Sequence, residues 1–426
     1  MTPLPLPGAR RPASRLSAPL LLLLLAAGTH LARGDWPQFL GPTRDGIVAG
    51  AGAFGPAWPE EGPRRLWVRD VGAGFSGPIA IGDKVVLFHR QGDQEVLECF
   101  DAATGRTAWR ASHATAYVDD FGFDEGPRAT PCADSGRVYT LGAEGTAAGV
   151  ELSTGRTLWV LEGRKVFGSR KGFFGLAPSP LVEGDLVILV FGGENGAGIV
   201  AVEGATGRVR WKTGEDEASY ASPVSAVIGG RRRLLVLTRE ALVALEPADG
   251  RQLFRFPWRP PMSASVSAAT PLVIGEHIFL SASYGTGAAW LKYRETGPEV
   301  VWQASQGTLS SHYATPVAHE GFLYGFDGRQ EQGCTLRCIA ASTGKVMWSQ
   351  ERFGAGTLVR IGGELLILTE KGELVRAPAT PEGFRPTARA QVLPFLARAH
   401  PAVSGGRLFA RSKDKLFCHD LGSGGR

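Results

Sequence analysis

Several side chains with binding chemistry share one place in a repeated pattern of this chain. Arg128, Tyr220 and Tyr313 each stand just before a small residue, a hydroxyl residue and a proline, and Phe75 holds the equivalent place before Pro78. A guanidinium can clamp a carboxylate or phosphate through two parallel hydrogen bonds. Phenol rings add apolar faces with one polar tip. Neighbouring loops supply acids at Asp119, Asp120, Asp124, Glu125, Asp216 and Glu217, and His312 precedes Tyr313. Together these types describe a polar, aromatic ligand site. A structural reading stands beside it. Arg128 bridging Asp124 or Glu125 would only fix a long loop, and the tyrosines would only fill a narrowing space.

Other strings resemble chemistry and lose it in context. Gly72-Ala73-Gly74-Phe75-Ser76-Gly77 spells a dinucleotide fingerprint, but that chemistry needs a helix N-terminus after the glycines, and Pro78 with a strand follows here. Ser342-Thr343-Gly344-Lys345 has the spacing of a nucleophilic serine and its lysine, yet it is one copy of a repeated turn. The eight His show no metal-ligand spacing. The five Cys are odd in number, which leaves at least one thiol free in a monomer. Cys99, Cys338 and Cys418 share a register filled elsewhere by Gly149, Ala201 and Ala244. That marks a small-residue packing slot. No metal and no cofactor are expected.

The elements that must position these residues come from the repeat itself. Asp101-x-x-Thr104-Gly105-Arg106-x-x-Trp109 returns around Trp159, Trp211, Phe254 and Trp348, at intervals of roughly 40–50 residues over the first four copies. Trp302 and Trp67 belong to the same aromatic set. The acidic residue and Thr-Gly make a tight turn in which Gly takes positive φ. The aromatic four residues later would cover the seam to a neighbouring unit. A second mark, small or hydroxyl residues before a proline, opens the units at Pro78, Pro131, Pro180, Pro223, Pro271, Pro316 and Pro401, and a degenerate unit begins near Gly356. Proline fits the first position of a strand. Eight units follow: an all-β, eight-bladed β-propeller of four-stranded antiparallel blades. The last unit lacks an aromatic strand, and Arg64-Arg65-Leu66-Trp67-Val68 has no unit before it. The N-terminal strand around Trp67 is therefore expected to close the ring, removing open edges.

Residues 1–34 read as a signal peptide: a basic start with Arg10, Arg11 and Arg15, a short apolar run from Leu20 to Ala27, and small residues suited to cleavage. Residues 35–426 then form one propeller domain. The formal charge of +5 falls to +1 once the four Arg of the leader are set aside. That balance points away from nucleic acid. After cleavage no membrane span remains.

Asp35-Trp36-Pro37-Gln38-Phe39-Leu40-Gly41-Pro42-Thr43-Arg44-Asp45-Gly46 resembles the mature N-terminus of bacterial pyrroloquinoline-quinone-like (PQQ-like) β-propeller repeat proteins. Gly126-Pro127-Arg128-Ala129-Thr130-Pro131, Asp216-Glu217-Ala218-Ser219-Tyr220 and Ser281-Ala282-Ser283-Tyr284-Gly285-Thr286-Gly287 resemble the same family. The resemblance implies an exported eight-bladed propeller. It reaches both outer-membrane assembly lipoproteins and PQQ-dependent alcohol dehydrogenases. The dehydrogenases use adjacent cysteines and an Asn calcium ligand. This chain has no adjacent cysteines and a single Asn, Asn195. The lipoproteins need a lipidated Cys that is also missing.

The expectation is an exported, monomeric, non-catalytic binding or scaffolding propeller of the periplasm or the secreted fraction, with a protein or small-ligand partner. The alternatives are a quinone-type oxidoreductase carrying PQQ with calcium, and a carbohydrate-binding or sensing propeller. The expected ligand site is the channel mouth: Arg128, Tyr220 and Tyr313, with Asp124, Glu125, Asp216, Glu217 and His312. Phe167, Phe173, Phe174, Phe256 and Trp258 on the longest loops form either a partner surface or a lid.

Overall fold

The structure is a computed structural model that describes residues 1–4, 34–48 and 58–422. Most of the leader expected over 1–34 lies outside the described residues. The described residues form eight separate sheets, each built on four antiparallel strands, one of them with a short fifth strand added. Seven are local: residues 79–114, 132–162, 181–213, 224–257, 272–304, 317–350 and 356–391 make blades one to seven. Blade eight draws on both ends of the described chain. Arg64–Asp70 lies antiparallel to Lys415–Asp420, with Trp67 opposite Cys418. The degenerate unit near Gly356 is a full blade, and the short strand Ile47–Val48 pairs in parallel with its inner edge.

The repeated aromatic joins a blade to the next in every blade but the seventh, whose outer strand Ala388–Gln391 has none. Trp159 of blade two donates its indole N–H to Gly204 O of blade three at 2.9 Å. Trp67, Trp109, Trp211, Trp302 and Trp348 make the same bond to Ala102, Leu152, Pro247, Ala341 and Thr380. Phe254, which has no donor, instead packs its ring against Tyr293 at 5.7 Å. The turn glycine lies under the indole. A Cβ on Gly207 would come within 2.7 Å of the Trp159 ring, and its φ is +72°. Glycine is therefore required there twice over. The small slot lies directly across the strand pair from the aromatic: Cys99 faces Trp109, Gly149 faces Trp159, Ala201 faces Trp211, and Cys338 faces Trp348. All five cysteines are buried free thiols. Burial pushes the thiols of Cys99, Cys338 and Cys418 up to about 12.

The second repeat mark makes an inner ring of hydrogen bonds. Gly77 N–H donates to Thr130 Oγ1, Thr130 N–H to Ser179 Oγ, Ser179 N–H to Ser222 Oγ, Ser222 N–H to Thr270 Oγ1, and Thr270 N–H to Thr315 Oγ1, all between 2.9 and 3.2 Å. Each bond satisfies a buried backbone donor with the hydroxyl of the following blade. In blade eight His400 takes the hydroxyl's place and reaches Leu358 O of blade seven through Nε2 at 3.0 Å. Its full burial pulls the imidazole pKa down to about 4.

Residues 35–48 run across the inner strands. Trp36 exchanges two backbone bonds with Ala80 of blade one, and Pro37 O accepts from Ala133 N–H of blade two. Arg44 is 2% exposed and donates to Pro223 O at 2.8 Å, to Ser179 O at 3.3 Å and to Pro180 O. Burial pulls its guanidinium pKa down to about 10. Gly46 O accepts from Arg360 N–H of blade seven. No described helix is long and apolar enough to cross a membrane.

Candidate functional site

A cavity of about 200 Å³ sits among residues contributed by all eight blades, which places it on the propeller axis. Its wall follows one register. The third residue before the repeated proline lines it in seven blades: Phe75, Arg128, Ala177, Tyr220, Ala268, Tyr313 and Arg398. The cavity is also lined by Thr130, Ser179 and Ser222 of the ring that joins the blades, by His400 in the matching place of blade eight, and by Thr357 of blade seven. Phe39, from the segment that crosses the axis, completes the lining as a floor residue beside His400, with ring centres 5.7 Å apart. Repeats aim equivalent positions at one axis, so a single register becomes one cup.

Arg128, Tyr220, Tyr313 and His312 meet in this cup. Arg128 stacks between Phe75 and Phe174, 5.6 and 5.4 Å from the ring centres. Its Nη2 bonds Asp119 Oδ2 at 3.1 Å and Asp124 O at 3.2 Å. Asp119 also accepts from the N–H groups of Phe121, Phe123 and Asp124. Burial pushes the Asp119 carboxyl up, but those donors and Arg128 outweigh it and hold the pKa below its ordinary value. Tyr220 Oη accepts from Phe173 N–H and Phe174 N–H at 2.9 and 3.0 Å, which ties the loop of residues 168–177 to blade four. Tyr313 donates to Glu370 Oε1 at 2.7 Å. Desolvation in the cup, with Glu370 beside it, raises the phenol well above its ordinary pKa. His312 lies between Gln330 and Tyr284, and burial lowers its pKa.

The acids lie apart from the cup wall. Asp124 caps its own turn by accepting from Gly126 N–H at 2.7 Å. Glu125 pairs with Arg90 at 3.7 Å. Asp216 and Glu217 line a separate charged cleft with Asn195, Glu215, Glu240 and Arg259. There Asp216 pairs with Arg255 at 3.2 Å, and Glu217 with Arg170 and Arg239 at 3.3 Å each. Of the loop aromatics, Phe167 and Trp258 turn into the interior, at 8% and 2% exposure. Phe173 and Phe174 are half-buried, against Phe121 and Phe123, which stay 54% and 53% exposed.

Sequence reasoning missed Arg398 and Glu370. Arg398 was findable, because it occupies the Arg128 register before Ala399-His400-Pro401. Its Nε meets Glu370 Oε1 at 2.7 Å, and its guanidinium lies 5.1 Å from the Phe75 ring centre. Desolvation alone would lower its pKa, but Glu370 outweighs that and raises it. Glu370 has no repeat signal. It reaches the cup from the turn between two strands of blade seven.

The family model described as "Outer membrane protein assembly factor BamB" (PQQ_2) matches residues 92–350. The chain belongs to this PQQ-like propeller family. BamB from Moraxella catarrhalis is similar to it in structure, with a TM-score of 0.61 at 16% identity, over 83% of this chain and 96% of that one. The quinohemoprotein alcohol dehydrogenase from Comamonas testosteroni gives a TM-score of 0.65 at 13% identity, over 93% and 82%. A europium-containing methanol dehydrogenase gives 0.51 at 12% identity, over 81% and 90%. At such identities the likeness shows the fold alone. No curated protein matches it.

Proposed function

We propose that this PQQ-like propeller is an exported, non-catalytic binding or scaffolding module of the cell envelope, and that it holds its partner on the loop face around the axial cup. One observation carries the reading. Phe121 and Phe123 stand more than half exposed beside Phe173 and Phe174 at the cup, on loops fixed by Asp119–Arg128, Lys171–Asp120 and Tyr220. Exposed aromatics held on a rigid frame are what a protein interface uses as anchors. The fold shared with BamB is consistent with this role.

The other reading is an oxidoreductase using PQQ with calcium. Calcium takes about six to eight oxygen ligands. Of the carboxylates by the cup, Glu370 pairs with Arg398 and Tyr313, Asp119 with Arg128 and three backbone N–H groups, and Glu331 lies exposed. Among the described residues no three His, Cys, Asp or Glu side chains gather as a metal site, and Asn195 lies in the charged cleft. This donor set does not fit a resident calcium–quinone pair, and it supports the non-catalytic reading. A photo-crosslinker at Phe121 should give one discrete envelope adduct, lost when Phe123 and Phe173 become Ser, while a crosslinker at the exposed Val227 gives none. A calcium-dependent dye-reduction rate with added PQQ, abolished by chelation, would overturn the proposal.

A further inference from the structure

The charged group of the cup wall that keeps an open hydrogen-bonding position is a cation, Arg398. Glu370 is neutralised within the cup, with Tyr313 Oη and Arg398 Nε on Oε1 and Arg398 Nη2 on Oε2. Asp119 is saturated by Arg128 and three backbone N–H groups. Arg398, in contrast, spends Nε and Nη2 on Glu370 and leaves Nη1 without a hydrogen bond. Thr357 Oγ1 is buried and makes no hydrogen bond among the described residues. Tyr220 Oη accepts twice, so its own proton is uncommitted. Glu331 is the remaining acid, and it lies exposed at the rim where water screens it. A buried donor without an acceptor is costly, so a ligand bringing acceptor oxygens is favoured.

The aromatic faces tell the sign of the ligand. Arg128 covers Phe75 and Phe174, Arg398 covers Phe75 and Tyr313, and Arg329 lies 4.6 Å from the Tyr284 ring centre. A cationic ligand would meet guanidiniums on the faces it needs. Space is left where the wall register falls to alanine, at Ala177 and Ala268 on either side of Tyr220.

We infer that the cup binds a single carboxylate carried on an aromatic or apolar body of side-chain size. The carboxylate meets Arg398 Nη1, and the body fills the space beside Ala177 and Ala268. This deepens the binding role proposed for the loop face and rests on it. A free aromatic acid and the last residue of a polypeptide share this chemistry.

Calorimetric titration separates them. The probes are phenylpropionate, phenylpropionamide, and a pentapeptide ending in Phe as the acid and as the amide. Both acids should bind, and each amide should bind at least about tenfold more weakly, the loss of a hydrogen bond to a charged group. Arg398→Gln should weaken the acids to the level of the amides. Ala268→Phe should fill the cup and abolish binding with an unchanged melting temperature. A tighter peptide acid identifies a polypeptide terminus as the source, and a tighter phenylpropionate identifies a free acid. Equal affinity of acids and amides, acid binding retained in Ala268→Phe, or no acid binding at millimolar concentration would overturn the inference. If the acids fail to bind while the Phe121 crosslink still forms, only the cup inference has failed and the loop-face role stands.

Discussion

Arg128 carries two jobs that pull on one side chain. It holds the loop of residues 117–126 through Asp119 and Asp124 O, and it forms part of the cup wall between two phenyl rings. Asp119 has a side chain 0% exposed, so removing Arg128 leaves a buried carboxylate with backbone donors alone. Breaking one side of a buried pair usually costs about 3–5 kcal/mol. The three N–H groups on Asp119 should reduce that to about 2–3 kcal/mol. Arg128→Ala is therefore expected to lower the urea midpoint, with Arg128→Lys between it and the parent. An unchanged midpoint would show that the loop stands without the clamp.

At the scale of the elements, the hydroxyl ring and the indole caps do different work. Each indole binds the neighbouring turn from the outer part of a blade, and each hydroxyl satisfies a neighbouring N–H beside the axis. Ser179→Ala removes the acceptor of Thr130 N–H and leaves a buried donor unpaired. We expect it to cost about 1–3 kcal/mol. Cys99→Ala is the contrasting case. Its slot already holds Gly149, Ala201 and Ala244 in other blades, so the loss should be roughly 1 kcal/mol or less. Chemical denaturation of the two variants side by side checks the order, and equal losses would contradict the roles assigned to the two positions.

For the whole molecule, the two ends of the described chain share blade eight. Trp67 pairs across from Cys418 and donates its indole N–H to Ala102 O of blade one at 3.1 Å. We expect this strand to hold the ring shut. Removing residues 35–70 would bare the edge of Lys415–Asp420 and should give concentration-dependent aggregation. Removing residues 35–48 alone takes away Phe39 and Arg44 but leaves that edge paired. Light scattering of the two truncations decides between the roles, and equal aggregation would assign the stability to the axial segment instead.

The repeat alone determined the eight blades, the position of each indole and the small slot facing it, because these depend on local spacing and on a turn that needs Gly. The same register placed Arg128, Tyr220 and Tyr313 on one axis. Tertiary structure decided what was left of each side chain's bonding capacity. Asp216 and Glu217 precede Tyr220 by only a few residues, yet they turn into another cleft toward Arg255, Arg170 and Arg239. Glu370, far from Arg398 and Tyr313 in the chain, neutralises one and orders the other. Asp35–Val48 resembled a family N-terminus as a string, but its passage across the axis under Phe39 and Arg44 depends on carbonyls from blades three and four. A repeat fixes which positions point inward. The partners that meet there come from distant turns, and only closing the chain upon itself sets which donors stay free.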